Sequence, residues 1–250
     1  SSYEWSKVYT RFAMDREVIA PDLIGYGESE RPSTPLEPDE HVESLAEFLR
    51  SVCPNRPAIL VASGLTSQVA LLLAAKHPEL IARLILFLPT RLQDSSQSQT
   101  MGLVSGSMIP GVGRFIYHRH TSRPAFIRAW LSRTGYSNAE NLAEETVEVL
   151  ASSSQQYGAE HAILGLLKNR KKYDASPRLS DIIAPAHILW PARAPAFPLS
   201  EATTLVRQLP KTSLEVLNDC SAFAPMETPG NLVRSLTHWL DGDLAENLPA

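Results

Sequence analysis

Short, largely apolar segments that alternate with stretches of helical periodicity are the feature that most constrains this fold. Five such segments predict buried strands, at residues 17–22, 57–63, 81–88, 186–190 and 212–217. Strands without polar alternation are covered on both faces, which is typical of parallel sheets. The stretches between them supply the crossovers that parallel strands need. The sequence therefore predicts an α/β fold, with a mostly parallel sheet covered by helices on both faces.

A long segment between the third and fourth predicted strands interrupts this alternation. It opens with a stretch rich in Ser and Gln, continues with Gly and Pro, and then shows helical patterns. We interpret residues 91–180 as a helical cap insertion. The core is then formed by residues 1–90 and by residues 181–250.

Composition and charge exclude several kinds of partner. The net charge of −4 gives no electrostatic reason to expect nucleic acid. The most apolar region, residues 69–89, is interrupted by charged side chains, so no transmembrane segment is predicted. Cys53 and Cys220 show no metal-ligand spacing and demand no disulfide. We expect a soluble protein of a reducing intracellular compartment, in the cytoplasm or an organelle, without metal or cofactor.

Three stretches resemble motifs of the α/β-hydrolase superfamily. VIAPDLIGYGESERP, residues 18–32, resembles a strand of that family and its following loop. QVALLLAAKHPELIARLIL, residues 68–86, resembles the helix after the nucleophile and the next strand. LEVLNDCSAF, residues 214–223, resembles the segment before the usual catalytic histidine. The chain is most similar to the cap-bearing hydrolases of small esters, epoxides and haloalkanes, and the resemblance implies a pocket between sheet and cap.

The resemblance also places the catalytic triad, whose three usual side chains are missing. In this family a Gly-x-Ser-x-Gly turn holds the nucleophilic serine on a strained strand-to-helix corner. Gly64 takes the nucleophile position, Ala194 that of the acid and Ala222 that of the histidine. Glycine has no hydroxyl with which to form an acyl-enzyme, and a triad acts as a unit. The resemblance therefore implies a degenerate triad on a backbone that glycine tolerates.

Neighbouring side chains offer replacements, each with a structural role as the alternative. Ser63 and Ser67 flank Gly64, and Asp94 follows the third predicted strand, where some family members carry their acid. His118 and His120 are two residues apart and so face different sides of a helix, which predicts no metal site. The candidates to line a pocket are Trp5, Leu65, Phe197 and Phe223.

Two further patterns concern the surface and the sheet. The basic run at residues 168–173 is interpreted as a solvated helix end, with a contact to acidic lipid or protein as the alternative. In the family, the oxyanion loop and the central strand precede a segment resembling SSYEWSKV, residues 1–8, so the resemblance implies a chain without these N-terminal strands. Because a sheet without an inner strand leaves backbone groups unpaired, we expect upstream residues of the natural protein to supply it.

Three functional hypotheses follow. The first is a non-catalytic hydrolase-fold protein that binds a small hydrophobic molecule or a protein partner. The second is an active serine hydrolase of a small ester or related substrate, acting through shifted catalytic residues. The third is a paralogue that folds but retains no role.

Overall fold

A single parallel sheet organises the computed structural model, which describes residues 1–90 and 111–241. Four strands form this sheet within the described residues: β1 (Ala58–Ser63), β2 (Ile81–Phe87), β3 (Ala186–Arg193) and β4 (Thr212–Ser221). Their spatial order is β1-β2-β3-β4, and each neighbouring pair is parallel. Leu84, Ile85 and Leu86 of β2 have no exposed surface. The parallel sheet predicted from the apolar segments is confirmed.

Helices flank the sheet and occupy the segment between β2 and β3. The α-helices are α1 (Ser6–Phe12), α2 (Pro38–Val52), α3 (Gly64–Lys76), α4 (Val112–Ile116), α5 (Pro124–Trp130), α6 (Glu144–Gln155), α7 (Ala159–Lys168), α8 (Leu199–Gln208), α9 (Ala224–Glu227) and α10 (Pro229–Asp241). Short π-helical turns, Tyr117–Thr121 and Leu131–Gly135, continue α4 and α5. No helix of the described residues is long and apolar enough to cross a membrane.

Local sequence explains where the best-defined helices begin and which side they bury. At the start of α2, the Glu37 and Glu40 side chains accept hydrogen bonds from each other's backbone N–H groups, which forms a capping box. α3 contacts α2, β1 and β2, and it is apolar on nearly every side because its surroundings are protein rather than water.

The helices α4–α7, called here the inserted helices, have an apolar cluster of their own. Ile127, Leu131 and Val147 belong to it, and Met226 of α9 joins it from the core. Buried Gln68 of α3 fixes both ends of the insertion. Its Nε2 donates to the carbonyl oxygen of Thr90 at 3.2 Å, and its Oε1 accepts from the N–H of Ala175 at 3.2 Å.

The strand predicted at residues 17–22 is wrong. Those residues are extended but join no sheet, and Val18 and Ile19 are 37% and 44% exposed. A strand forms only when a neighbour supplies its hydrogen-bond ladder, and β1 is the edge of the sheet. Ile59 and Val61, which share one face of β1, are 44% and 37% exposed. The apolar character of residues 17–22 therefore gives no strand in this chain.

The exposed apolar edge strand leads to a prediction about self-association. An unpaired edge that carries apolar side chains is a template for pairing with another chain, and an edge lysine discourages that pairing. We expect Val61→Lys to lower the concentration dependence of light scattering by this 250-residue chain, in which β1 has no outer neighbour among the described residues. Leu199→Lys is the matched control, because Leu199 is 43% exposed but lies on α8. Equal effects of the two substitutions would contradict the edge as the cause.

Candidate functional site

The three positions that the resemblance assigns to the triad lie at the carboxyl ends of the strands, on one side of the sheet. Gly64 directly follows β1, Ala194 directly follows β3, and Ala222 directly follows β4. Because the strands are parallel, their carboxyl ends meet at the same edge, where open α/β sheets bind ligands. Gly64 has only a hydrogen atom in place of a side chain, and Ala194 and Ala222 each have a methyl group.

Gly64 forms a sharp corner between β1 and α3. Its φ angle is +50°, in the left-handed region that side chains other than Gly rarely adopt, while Ser63 before it is extended. A Cβ atom built on Gly64 would meet no atom within 4 Å. The corner therefore has the strained backbone of a nucleophile turn and free space above it, without the hydroxyl.

Ser63, the first replacement candidate, is bound to a carboxyl group. Its Oγ donates a hydrogen bond to Oε1 of Glu4 at 2.9 Å. Burial raises the pKa of Glu4 above its usual value, and this effect outweighs the lowering by the Ser63 hydroxyl. Ser67, the second candidate, lies inside α3 with no exposed surface, and its Oγ has no hydrogen-bond partner in the described residues. Asp94 lies outside the described residues.

Three histidines of the described chain contact side chains other than these serines. His187 of β3 stacks on Trp239 with ring centroids 4.0 Å apart, and burial lowers its pKa to about 4. His77 contacts Glu43 at 3.0 Å, and His118 lies 3.6 Å from Glu160. Within residues 1–90 and 111–241, no group of three or more His, Cys, Asp or Glu side chains is arranged to hold a metal ion.

Ala194 and Ala222 lie in ordered turns. The carbonyl oxygen of Ala194 accepts a hydrogen bond from the N–H of Phe197 at 2.9 Å, and Trp190 Nε1 donates to the Phe197 carbonyl at 3.3 Å. The residue after Ala222, Phe223, donates its N–H to the carbonyl oxygen of Gly135 at 2.9 Å. Both turns are thus held by backbone hydrogen bonds, with the Trp190 indole as an additional donor, and by no triad side chain.

The four candidate lining residues are all partly buried. Trp5, Leu65 and Phe197 pack against the main core, and Phe223 packs against the cluster of the inserted helices. The Phe223 ring lies 5.8 Å from that of Tyr136, between centroids. Phe223 therefore connects the end of β4 with the insertion, which is the position expected of a residue that lines a pocket between the sheet and the inserted helices.

Glu227 fastens the insertion to the core, a role that the sequence analysis missed. Its carboxylate accepts hydrogen bonds from the N–H and Oγ of Ser137, at 2.9 and 3.0 Å, and from the N–H of Asn138 at 2.9 Å. Asn141 Nδ2 adds a fourth at 3.2 Å. Burial alone would raise the pKa of Glu227, but the Ser221 hydroxyl at the end of β4, followed by the hydrogen bonds from Ser137 and Asn138, outweighs burial and lowers the pKa. A lone glutamate carries no local signal for partners 86 to 90 residues away.

The loop that carries the longest motif is held by its aspartate. Asp22 Oδ2 accepts a hydrogen bond from the N–H of Glu28 at 2.8 Å, and the Asp22 carbonyl accepts one from Ser29 Oγ at 2.6 Å. A Cβ built on Gly27 would lie 1.9 Å from the Asp22 carboxylate, so only glycine fits there. The spacing of Asp22, Gly27 and Ser29 in the motif is thus explained by one compact loop.

Comparisons with known proteins establish the family of this chain. Residues 1–235 match the alpha/beta hydrolase family, and the chain belongs to that family. Over 83 residues it is 37% identical to 2-hydroxymuconate semialdehyde hydrolase of Pseudomonas sp., a match that spans 33% of this chain but only 29% of that protein. It is also 21% identical to human monoacylglycerol lipase ABHD6 over 248 residues, which cover 94% of this chain and 71% of that protein.

A solved structure shows the same fold. A loop variant of haloalkane dehalogenase DbeA from Bradyrhizobium elkanii superimposes with a TM-score of 0.78 at 20% identity. The superposition covers 98% of this chain and 87% of that one. The likeness in fold therefore extends along almost the whole chain.

The corner at Gly64 leads to a stability prediction. We expect Gly64→Ala to lower the free energy of unfolding by about 1–2 kcal/mol, because a Cβ is disfavoured at positive φ even where space is free. Gly230→Ala is the matched control, since a Cβ there also meets nothing within 4 Å but no left-handed φ is involved. This control should leave stability unchanged or raise it. Urea unfolding measures both, and an equal loss in both variants would contradict a strained corner.

The Glu227 carboxylate leads to a prediction about pH. Its pKa is lowered in the folded chain, so it stabilises the fold above its ordinary value of 4.5, and that contribution is lost as the pH falls through the folded pKa. At neutral pH we expect Glu227→Gln to cost about 1 kcal/mol, after a discount for solvent screening, or roughly 2–4 °C in Tm. Thermal unfolding should show this difference narrowing as the pH is lowered below 4.5.

The control for that prediction is Glu145→Gln, an exposed glutamate on α6. It removes the same charge but none of the four hydrogen bonds. A loss of stability that is equal in both variants would assign the effect to net charge rather than to the bonds between Glu227 and the insertion.

Proposed function

We propose that this chain is a non-catalytic member of the α/β hydrolase family that binds a small apolar ligand at the carboxyl edge of its sheet. The observation that carries the proposal is the chemistry at three strand ends, where Gly64, Ala194 and Ala222 offer no nucleophile, acid or base. Acyl transfer needs a hydroxyl or thiol and a base to activate it.

Retention of the backbone supports binding rather than decay. The left-handed corner at Gly64 and the loop held by Asp22 are both intact. Leu65, Phe197 and Phe223 each lie within four residues of the end of a strand, and all three are partly buried. Trp5, also partly buried, follows Glu4, which contacts Ser63 at the end of β1. Without a hydroxyl and an imidazole, such a site is more apolar than that of an active hydrolase and suits an apolar ligand. A protein partner is the other occupant that the same surface would accept.

A second candidate function, an active hydrolase with shifted residues, is favoured by one contact. Ser63 precedes Gly64 in the chain, and its hydroxyl donates to Glu4, whose pKa is raised. A carboxylate with a raised pKa is a better base than an ordinary one. Against this candidate, no imidazole of the described residues contacts Ser63 or Ser67.

A fluorophosphonate probe separates the two candidates. We expect the natural chain to remain unlabelled and to hydrolyse short p-nitrophenyl esters no faster than buffer. The paired variant Gly64→Ser/Ala222→His should gain labelling, because it restores the hydroxyl and the imidazole at the strand ends and a Cβ at residue 64 meets no neighbour. Gly64→Ser alone is the matched control and should gain much less, since no base activates its hydroxyl.

Three other results would contradict the proposed function. Labelling of the natural chain that disappears in Ser63→Ala or Glu4→Gln would establish the shifted hydrolase. A paired variant that folds yet gains no labelling would contradict the assignment of Gly64 and Ala222. Ligand binding is measured separately by the thermal shift that medium-chain alcohols cause in the natural chain, which Phe223→Ala should reduce. The absence of any shift would favour a chain that retains only its fold.

A further inference from the structure

The segment that contains α4 and α5 has a charge opposite to that of the whole chain. Residues 111–135 contain five arginines, Arg114, Arg119, Arg123, Arg128 and Arg133, and no Asp or Glu, although the chain has a net charge of −4. Such local asymmetry creates a positive potential that attracts anions even in an acidic protein. This segment is separate from the basic run at residues 168–173.

The helix that begins with α5 and continues to Gly135 buries one side and exposes the other. Ile127 and Leu131 point into the cluster of the inserted helices. On another side, a shallow cleft of about 100 Å³ is lined by Phe126, Ala129, Trp130, Arg133 and Thr134. Trp130 is 38% exposed, an unusual position for a large aromatic ring. With Arg123, which precedes the helix, Phe126, Ala129, Trp130 and Arg133 form what we call the basic–aromatic face.

The arginines of this face lack the acidic partners that others nearby possess. Arg114 pairs with Glu160 at 3.1 Å, and Arg128 pairs with Glu144. By contrast, Arg133 and Arg123 are exposed and form no ion pair with any residue the structure describes, although Arg123 Nε donates to the His118 carbonyl at 3.2 Å. The positive charge beside Phe126 and Trp130 is therefore uncompensated within the described chain.

We propose that the basic–aromatic face docks on an anionic phospholipid surface. Trp and Phe rings favour the boundary between headgroups and acyl chains, and arginines beside them bind the phosphate and carboxylate groups of anionic lipids. This charge complementarity, with apolar rings at its centre, fits a lipid surface better than a nucleic acid backbone, for which the apolar Ala129 and Phe126 would add little. The inference does not depend on whether the strand ends carry chemistry.

The test is sedimentation of the full chain with vesicles of phosphatidylcholine alone or mixed with phosphatidylserine. We expect binding to the mixed vesicles at low ionic strength, little binding to phosphatidylcholine, and release by high salt, because the attraction is screened. Arg123→Gln/Arg133→Gln should lower the partition coefficient by about 25-fold, roughly fivefold for each arginine. Trp130→Ala should weaken binding and leave the salt dependence unchanged.

The matched control is Arg170→Gln/Lys171→Gln, which removes the same charge from exposed positions after α7. It should bind vesicles nearly as well as the natural chain, and circular dichroism should show that all variants are folded. Equal losses in the two double variants would overturn the proposal, as would equal binding to both kinds of vesicle. Binding to single-stranded RNA or to heparin without binding to vesicles would also overturn it, in favour of a polyanion.

Discussion

Hydrogen bonding between four parallel strands is the constraint on which every other feature of this chain depends. The ladders between β1, β2, β3 and β4 bring together strand ends that are more than 100 residues apart in the sequence. Because these strand ends lie side by side, Gly64, Ala194 and Ala222 are all found at the carboxyl end of the sheet. The fully buried side chains of Leu84, Ile85 and Leu86 in β2 make the ladder stable, since their removal from water favours the folded sheet.

The contacts that hold this edge do not require a triad. Backbone hydrogen bonds order the turns at Ala194 and Phe223, and the amide of Gln68 joins both ends of the insertion to α3. A scaffold maintained in this way can lose its reactive side chains without losing its shape, because few structural contacts run through them. The left-handed corner at Gly64 is then a feature of the backbone alone.

Much of the fold could be predicted from the sequence, because apolar strands and helical periodicity are local patterns. The four strands of the sheet, their parallel direction and the presence of helices between them follow from these patterns. Residues 17–22 were wrongly predicted for a physical reason, since a ladder depends on a neighbour that no local pattern reveals. The contact between Ser63 and Glu4 joins residues 59 positions apart, so it too lies beyond local analysis. The family motifs located the strand ends, but the assignment of Gly64, Ala194 and Ala222 stays a prediction.

The four hydrogen bonds to Glu227 also bear on how such chains can exchange parts. The acceptor belongs to α9, after the last strand, whereas all four donors belong to the segment between β2 and β3. A chimaera that imports this segment from another hydrolase would leave an ionised carboxylate without its donors, a costly mismatch in a partly enclosed position. The segment between β2 and β3 is consequently not an interchangeable module. It has to be transferred together with α9, which carries the acceptor of its hydrogen bonds.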